Sequence, residues 1–298
     1  MIDYTLLDKK IVIICGATAT GKSHFAIKLA SKLNGVIINA DSMQVYKEIP
    51  ILTAQPNKHT ILEIPHKLYG IVSCDDKFSV GIWLDKVIKE IDKCFLFEKV
   101  PILVGGTGMY ISSLIEGLAK IPEISQKTKM HVLEMTNNMN NREINHFLKK
   151  YDVEAANLLK QNDRQRNLRA IEVYFQTGKS ITYWQKIQHR YFNRDKIFII
   201  YINPERKVIY ENINNRFLYM LQAGAIKEVK ALLKNNKKQK NFPKALGLHQ
   251  LILYINGKTN IEEAIEKSQQ LTRNYAKRQI TWFNNKIKHD YLINTLEV

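Results

Sequence analysis

The sequence predicts an α/β fold: a parallel sheet flanked by helices, interrupted by a mostly helical insertion domain. Three observations predict it. Short apolar runs rich in β-branched residues recur at Ile11–Cys15, Gly35–Asn39, Val100–Val104 and Ile197–Ile202. Runs of this kind suit strands buried on both faces. Helical spacing follows the first of them, in Phe25, Ala26, Leu29, Ala30 and Leu33. From about Pro122 to Arg194 the strand signals stop and polar and basic residues dominate. The expected organisation is therefore a discontinuous core, 1–121 with 195–298, and an insertion, 122–194.

The turn after the first strand carries the strongest motif. Gly16-Ala17-Thr18-Ala19-Thr20-Gly21-Lys22-Ser23 fits the phosphate-loop pattern G-x-x-x-x-G-K-[ST]. Strand, glycine loop and helix come in the required order, which makes the core P-loop NTPase-like. Gly16 and Gly21 let the backbone bend around an anion, and the loop amides and helix N-terminus then point at phosphate oxygens. Lys22 adds a mobile positive charge, and the Ser23 hydroxyl can ligate a metal ion. The bland alternative is a glycine-rich turn that binds nothing.

The second strand runs into Ala40-Asp41-Ser42-Met43-Gln44-Val45-Tyr46. Ligands of open α/β sheets bind at the C-terminal ends of strands, so Asp41 is expected to face the same crevice as the phosphate loop. An ordinary helix N-cap is the alternative. Thr53–Pro56 and Ile64–Gly70 are loop-rich, with His66 a lone histidine suited to a structural role. Ser79 suits an N-cap for the helical pattern Ile82, Val87, Ile88 and Ile91. The next strand ends in Gly105-Gly106-Thr107-Gly108-Met109-Tyr110. Many phosphate-loop enzymes place a metal-binding Asp there. Glycine and threonine in its place count against an ordinary ATPase.

Inside the insertion, helical patterns cover Lys129–Met135, Ile144–Lys149 and Asn162–Gln176. Gln165, Arg166 and Arg169 fall near one helical face, which reads as a contact surface or as a solvated charged face. After the last core strand come helices carrying Arg216 and Lys227–Leu233, and a further helix opened by Ala245–Gln250. Lys234–Lys240 reads as a basic polar loop. A long helix is expected over Ile261–Lys286, with Arg273, Lys277 and Arg278 beside Tyr275, Trp282 and Phe283. Basic residues among aromatics suit nucleic acid, and the aromatics equally suit a core. Tyr291–Ile293 suits a last short strand.

Bulk composition narrows the function classes. The 298 residues are enough for a full core, and 45% are apolar, ordinary for a globular protein. The net charge of +17 and pI near 9.6 point to a polyanionic partner, most often nucleic acid, or to a lysine-rich surface kept for solubility. Cys15, Cys74 and Cys94 have no metal-ligand spacing and leave an odd thiol, as expected of a reducing cytoplasm. No apolar run approaches a membrane span, and residues 1–7 lack a signal-peptide layout.

Together these motifs resemble the tRNA dimethylallyltransferase (isopentenyl-tRNA transferase) family over nearly the whole chain. The resemblance rests on Gly16–Ser23, Ala40–Tyr46, Gly105–Tyr110 and Gln165-Arg166-Asn167-Leu168-Arg169. Further support comes from Arg216 with Met220–Gly224, and from Thr272–Gln279 with Thr281-Trp282-Phe283. It implies transfer of a dimethylallyl group to the N6 amine of the adenosine 3′ of the anticodon in tRNAs, expected to be those reading codons that begin with U. The implied donor is dimethylallyl diphosphate, and the implied cofactor is Mg2+, with Ser23 as its ligand.

The resemblance also implies residue roles. Gly16, Ala17, Thr18, Ala19, Thr20, Gly21, Lys22 and Ser23, with Arg216, would hold the diphosphate. Asp41 would be the general base, with Lys22 and Thr107 in the catalytic set. Asp41, Ser42, Met43, Gln44 and Thr107 would touch the tRNA near the reacting adenine. Lys129, Gln165, Arg166, Asn167, Leu168, Arg169, Arg273, Lys277 and Arg278 would contact it elsewhere. The implied partner is the tRNA anticodon stem-loop and the implied state a cytoplasmic monomer, with no membrane. Three positions depart from the family pattern. Lys129 stands where arginine is usual, and a lysine cannot make the same bidentate contact. Gly247-Leu248-His249-Gln250 replaces the usual Gly-Tyr-Arg/Lys-Glu/Gln, and Ala17 replaces a proline. The principal rival is a small-molecule or nucleotide kinase with the same loop, which explains Gly16–Ser23 but not the charge. A nucleotide-gated RNA-binding module is the second.

Overall fold

The computed structural model describes residues 3–235 and 242–295. The expected basic loop Lys234–Lys240 lies outside the described residues from position 236 on. The chain divides into two compact units, one running to Ile115 and resuming at Phe192, the other Glu116–Tyr191.

In the first unit, β1 (Ile11–Cys15) leads to α1 (Lys22–Leu33) and β2 (Gly35–Asn39). Then come α2 (Lys58–Glu63), β3 (His66–Lys67), α3 (Val80–Leu96), β4 (Val100–Gly105) and α4 (Gly108–Glu116). Ser79 caps α3, its hydroxyl accepting from the Ile82 amide. The second unit holds β5 (Leu118–Ala119), α5 (Gln126–Thr136), α6 (Asn141–Lys149), α7 (Val153–Leu158), α8 (Arg164–Thr177), α9 (Ile181–Lys186) and β6 (Gln188–His189). The first unit resumes with β7 (Ile197–Ile202), α10 (Arg206–Gln222), α11 (Ala225–Asn235), α12 (Leu248–Ile255), α13 (Ile261–Lys286) and β8 (Tyr291–Ile293).

Six strands form one sheet in the order β3-β2-β4-β1-β7-β8, every pair parallel. All five residues of β1 and of β2 are buried, which is why both strands are continuous apolar runs. Val12, Ile14, Ile37 and Ile102 pack with Ala26, Leu29 and Ala30 of α1. The alternate residues Ile13, Ile38 and Leu103 point to the other face and are equally buried. α3 packs on β2 and β4, with Trp83 donating from Nε1 to the Asn39 carbonyl at 2.9 Å.

The second unit has its own core of Val132, Ile144, Leu148, Ala155, Ala170 and Ile171. α5 and α6 contain the first two patterns read from the sequence, and α8 begins two residues into the third, with Asp163 as its N-cap. The antiparallel pair β5–β6 is a difference, since the sequence shows no strand signal there. Strands of two residues carry no periodicity to read. α2 lies between the two stretches that read as loop, in sequence with no helical reading.

Candidate active site

Three strands of the sheet end at one level. Cys15 lies opposite Gly105, and Asn39 opposite Val104. The following residues, Gly16–Ser23, Ala40–Gln44 and Gly106–Thr107, are therefore neighbouring turns at the C-terminal edge. Such close approach demands glycine. A Cβ on Gly105 would lie 2.1 Å from the Ala40 carbonyl oxygen, where only backbone could yield. Gly105→Ala is expected to destabilise the fold by about 3 kcal/mol, because overpacking against main chain has no rotamer to relax it. Denaturant unfolding checks this, and an unchanged midpoint would show that the turns part freely.

The phosphate loop is built by its own backbone. Ala19 and Gly21 take left-handed conformations, φ 63° and 81°, which turn successive amides toward one concavity. The buried Thr20 hydroxyl donates to the Ala17 carbonyl at 2.9 Å. Lys22 donates from Nζ to the same carbonyl and to Thr20 Oγ1. From α10, Arg216 Nη2 donates to Thr18 Oγ1 at 2.6 Å and Asn212 Nδ2 to the Ala19 carbonyl at 3.2 Å. From α13, Gln279 Oε1 accepts from the Thr18 amide at 2.8 Å.

Asp41 is held by the strand it follows. Its amide donates to Asn39 Oδ1 at 2.8 Å, and its Oδ1 accepts from the Met43 amide at 2.8 Å. The carboxylate thus caps a tight turn, not a helix. The Ser42 amide donates to Thr107 Oγ1 at 2.9 Å, which ties this turn to the one after β4. Thr107 also hydrogen-bonds with the Tyr275 hydroxyl. Gln44 Nε2 donates to the Thr53 and Ala54 carbonyls and shapes the adjoining wall. That wall is pinned from α11, where the Glu228 carboxylate accepts from the Ile51 and Leu52 amides at 2.8 and 2.9 Å.

The loop, Asp41–Gln44, Asn212, Arg216 and Gln279 line one pocket of about 780 Å3, while Thr107 and Glu228 support it without lining it. Thr18–Ser23 and Arg216 line its cationic end, Asp41–Gln44 with Gly105 and Gly106 another side, and Leu52, Phe217 and Met220 an apolar end. Arg278 and Tyr275 also line it. The charges feel one another. Burial lowers the Lys22 pKa to about 8, the Asp41 carboxylate works to raise it, and Arg216 lowers it further. Arg216 is likewise lowered by burial and raised by Asp41. Burial and then Asp41 push Tyr275 up to about 12, against Arg278 and the Thr107 hydrogen bond. Two cations and a carboxylate facing one cavity can hold a polyanionic leaving group beside a base.

Other sequence-derived site residues lie elsewhere. Gly16 and Ala17 are buried at the base of the loop. Arg273 is engaged on α10, donating from Nη1 to Asn214 Oδ1 at 2.7 Å, and Lys277 is exposed. Lys129 on α5 and Gln165–Arg169 on α8 belong to the second unit. Gln165 and Arg166 are exposed, Arg166 pairing with Asp163 at 3.3 Å; Arg169 is half-buried and faces Glu172 at 3.5 Å. Asn167 is fully buried, its amide donating to the Lys160 and Asp163 carbonyls and accepting from Asn145. Leu168 packs on the unit's core. These two hold the helix in place, while Gln165 and Arg166 stay exposed. The sequence assigns no site role to Asn212, Glu228 or Gln279, although Gln279 closes the Thr272–Gln279 motif. Besides that motif, the local signal for Gln279 is its place four residues after Tyr275, on the same helical face.

Known proteins are similar to this chain over most of its length. Residues 44–286 match the family model described as IPP transferase. The chain is 44% identical over 283 residues to a tRNA dimethylallyltransferase of Rickettsia conorii, covering 94% of this chain and 78% of that protein. It is 43% identical to the one from Wolbachia sp. subsp. Drosophila simulans, covering 97% of each. Among solved structures, a tRNA delta(2)-isopentenylpyrophosphate transferase of Staphylococcus epidermidis matches with TM-score 0.65 at 34% identity, covering 95% of this chain and 92% of that one. A eukaryotic dimethylallyltransferase acting on tRNA matches with TM-score 0.83 at 28% identity, over 97% of this chain and 74% of that one. With a family match over most of its length, relatives above 40% identity and a parallel sheet that ends in the expected loop, the chain belongs to the IPP transferase family.

Proposed function

We propose that this protein transfers a dimethylallyl group from dimethylallyl diphosphate to the N6 amine of the adenosine 3′ of the anticodon in tRNA, releasing diphosphate. The observation that carries this is the single pocket shared by the phosphate loop, Arg216 and Asp41. Its relatives' names supply the substrate class.

Each group has a task in that reaction. The loop amides, Lys22 and Arg216 take the diphosphate, whose negative charge grows as its bond to the prenyl carbon breaks. The apolar end, at Leu52, Phe217 and Met220, takes the prenyl chain. The target amine lies on the pairing edge of a stacked base, so the adenine must leave the stack to reach the pocket. Asp41 then accepts the amine proton as the new bond forms. Thr107 and Ser42 hold the turn that aims Asp41.

Mg2+ fits these residues in a limited way. It prefers oxygen ligands and retains several waters. Ser23 supplies a hydroxyl on the pocket wall. Among the described residues no cluster of three or more His, Cys, Asp and Glu could hold a metal. The ion would therefore rest on Ser23 and the diphosphate itself. When bound, it would neutralise charge on the leaving group.

The net charge of +17 suits an RNA backbone, and Gln165, Arg166 and Arg169 are the contacts proposed on α8. Arg166→Ala and Arg169→Ala are expected to weaken tRNA binding without changing donor binding. Removing one phosphate-binding side chain should lower the slope of log affinity against log salt by about one unit. Wild-type slopes for both variants would leave that face merely solvated. Cys15, Cys74 and Cys94 are buried and in no disulfide, which supports a reducing cytoplasm, and among the described residues no helix is long and apolar enough to cross a membrane. Mass spectrometry of tRNA nucleosides after incubation with protein, Mg2+ and dimethylallyl diphosphate tests the whole reading. Phosphoryl transfer from ATP without a prenylated nucleoside would instead make it a kinase.

A further inference from the structure

We propose that Gln279 is a positioning residue that fixes the donor loop against the turn holding the acceptor site; this rests on the prenyl-transfer reading above. Its side-chain amide spans two turns that meet only in the fold. Oε1 accepts from the Thr18 amide at 2.8 Å, and Nε2 donates to the Gly106 carbonyl at 2.7 Å. The first partner belongs to the loop that takes the diphosphate, the second to the turn whose Thr107 holds Ser42 beside Asp41. One donor and one acceptor on a single planar group match one acceptor and one donor on main chain.

The contact is built and not incidental. Gln279 is only 6% exposed, so both its bonds are shielded from water. Gly106 has given up its side chain to admit it, since a Cβ there would lie 2.3 Å from Gln279 Nε2. One turn earlier on α13, Tyr275 hydrogen-bonds with Thr107. The same helical face therefore grips both sides of the pocket. Thr18 also carries the hydroxyl that accepts from Arg216, so a shift of Thr18 moves a second diphosphate contact. A misplacement of about 1 Å between reacting partners can cost about 100-fold in rate.

The test uses the full chain with two substitutions, Gln279→Leu and Gln279→Glu, with dimethylallyl diphosphate and tRNA as substrates. Gln279→Leu removes both bonds. It should lower kcat about 100-fold while tRNA affinity stays at the wild-type value. Gln279→Glu gives a pH signature that a merely structural residue would not. A neutral carboxyl at this place donates to Gly106 and accepts from Thr18, as the amide does. Its ionised form has no proton for Gly106 and repels that carbonyl. Burial raises the pKa of such a carboxyl. The kcat ratio of Gln279→Glu to wild type should therefore rise about tenfold or more from pH 8 to pH 6, with the Gln279→Leu ratio flat. A flat ratio for Gln279→Glu, or wild-type kcat in folded Gln279→Leu, overturns the proposal. If thermal melting shows Gln279→Leu unfolded, the Gln279→Glu profile decides alone. Absence of any prenylated nucleoside with the wild-type chain sinks the prenyl-transfer reading and this proposal with it. Wild-type transfer that the variants match sinks this proposal only.

Discussion

Lys22→Ala is expected to lose about 100-fold or more in turnover, the loss typical when one preorganised charge-stabilising group is removed. The structure says why this lysine has no substitute. It sits at the first position of α1, inside the pocket, where burial holds its pKa near 8. An ammonium poised so low takes a diphosphate as the counter-charge that restores its proton affinity. The pH dependence follows with a definite sign. Above about pH 8 the free enzyme's Lys22 is increasingly neutral, so donor kcat/KM should fall there, and donor binding should take up a proton. Calorimetry of donor binding in buffers of different ionisation heats measures that uptake, and in Lys22→Ala it should vanish. Wild-type turnover in the folded variant would remove this loop from the donor site.

Asp41→Asn should turn over about 100- to 10,000-fold more slowly, the range that general-base assistance supplies. The exocyclic amine of adenine is a poor nucleophile, because its lone pair is delocalised into the ring. Losing a proton as the bond forms is the help it needs. Asn keeps the size of Asp, and its amide oxygen can still accept from the Met43 amide, so the turn should survive. tRNA binding should be nearly normal. The substitution has a second consequence through charge. The Asp41 carboxylate works against burial to hold the proton on Lys22. Without it the Lys22 pKa drops, and the fall in donor kcat/KM should begin at lower pH than in the wild type. Single-turnover rates at saturating donor and tRNA decide the matter: a wild-type rate in Asp41→Asn rules out the base.

What the sequence determined by itself was whatever is contiguous along the chain. Ile11–Cys15 and Gly35–Asn39 announce buried strands because both faces of a parallel sheet are covered. Gly16–Ser23 is legible because the strand-loop-helix order and the glycines act within eight residues. Ile261–Lys286 is legible from helical spacing alone, and α13 spans those residues. The short strands β3, β5 and β6 are not, since two residues show no period.

Tertiary structure alone decided which polar side chains meet. Gln279 and Thr18 are 261 residues apart, and Glu228 and Ile51 are 177 apart. Glu228 looks like any other polar residue on a helix, and the motif that contains Gln279 does not say what it bonds, because both roles exist only once the helix packs on the loop. The same reason inverts the reading of Asn167. In sequence it stands between two arginines, Arg166 and Arg169, as one of a contact motif. In the fold its side chain turns inward, and a buried amide must spend its hydrogen bonds on the protein that surrounds it.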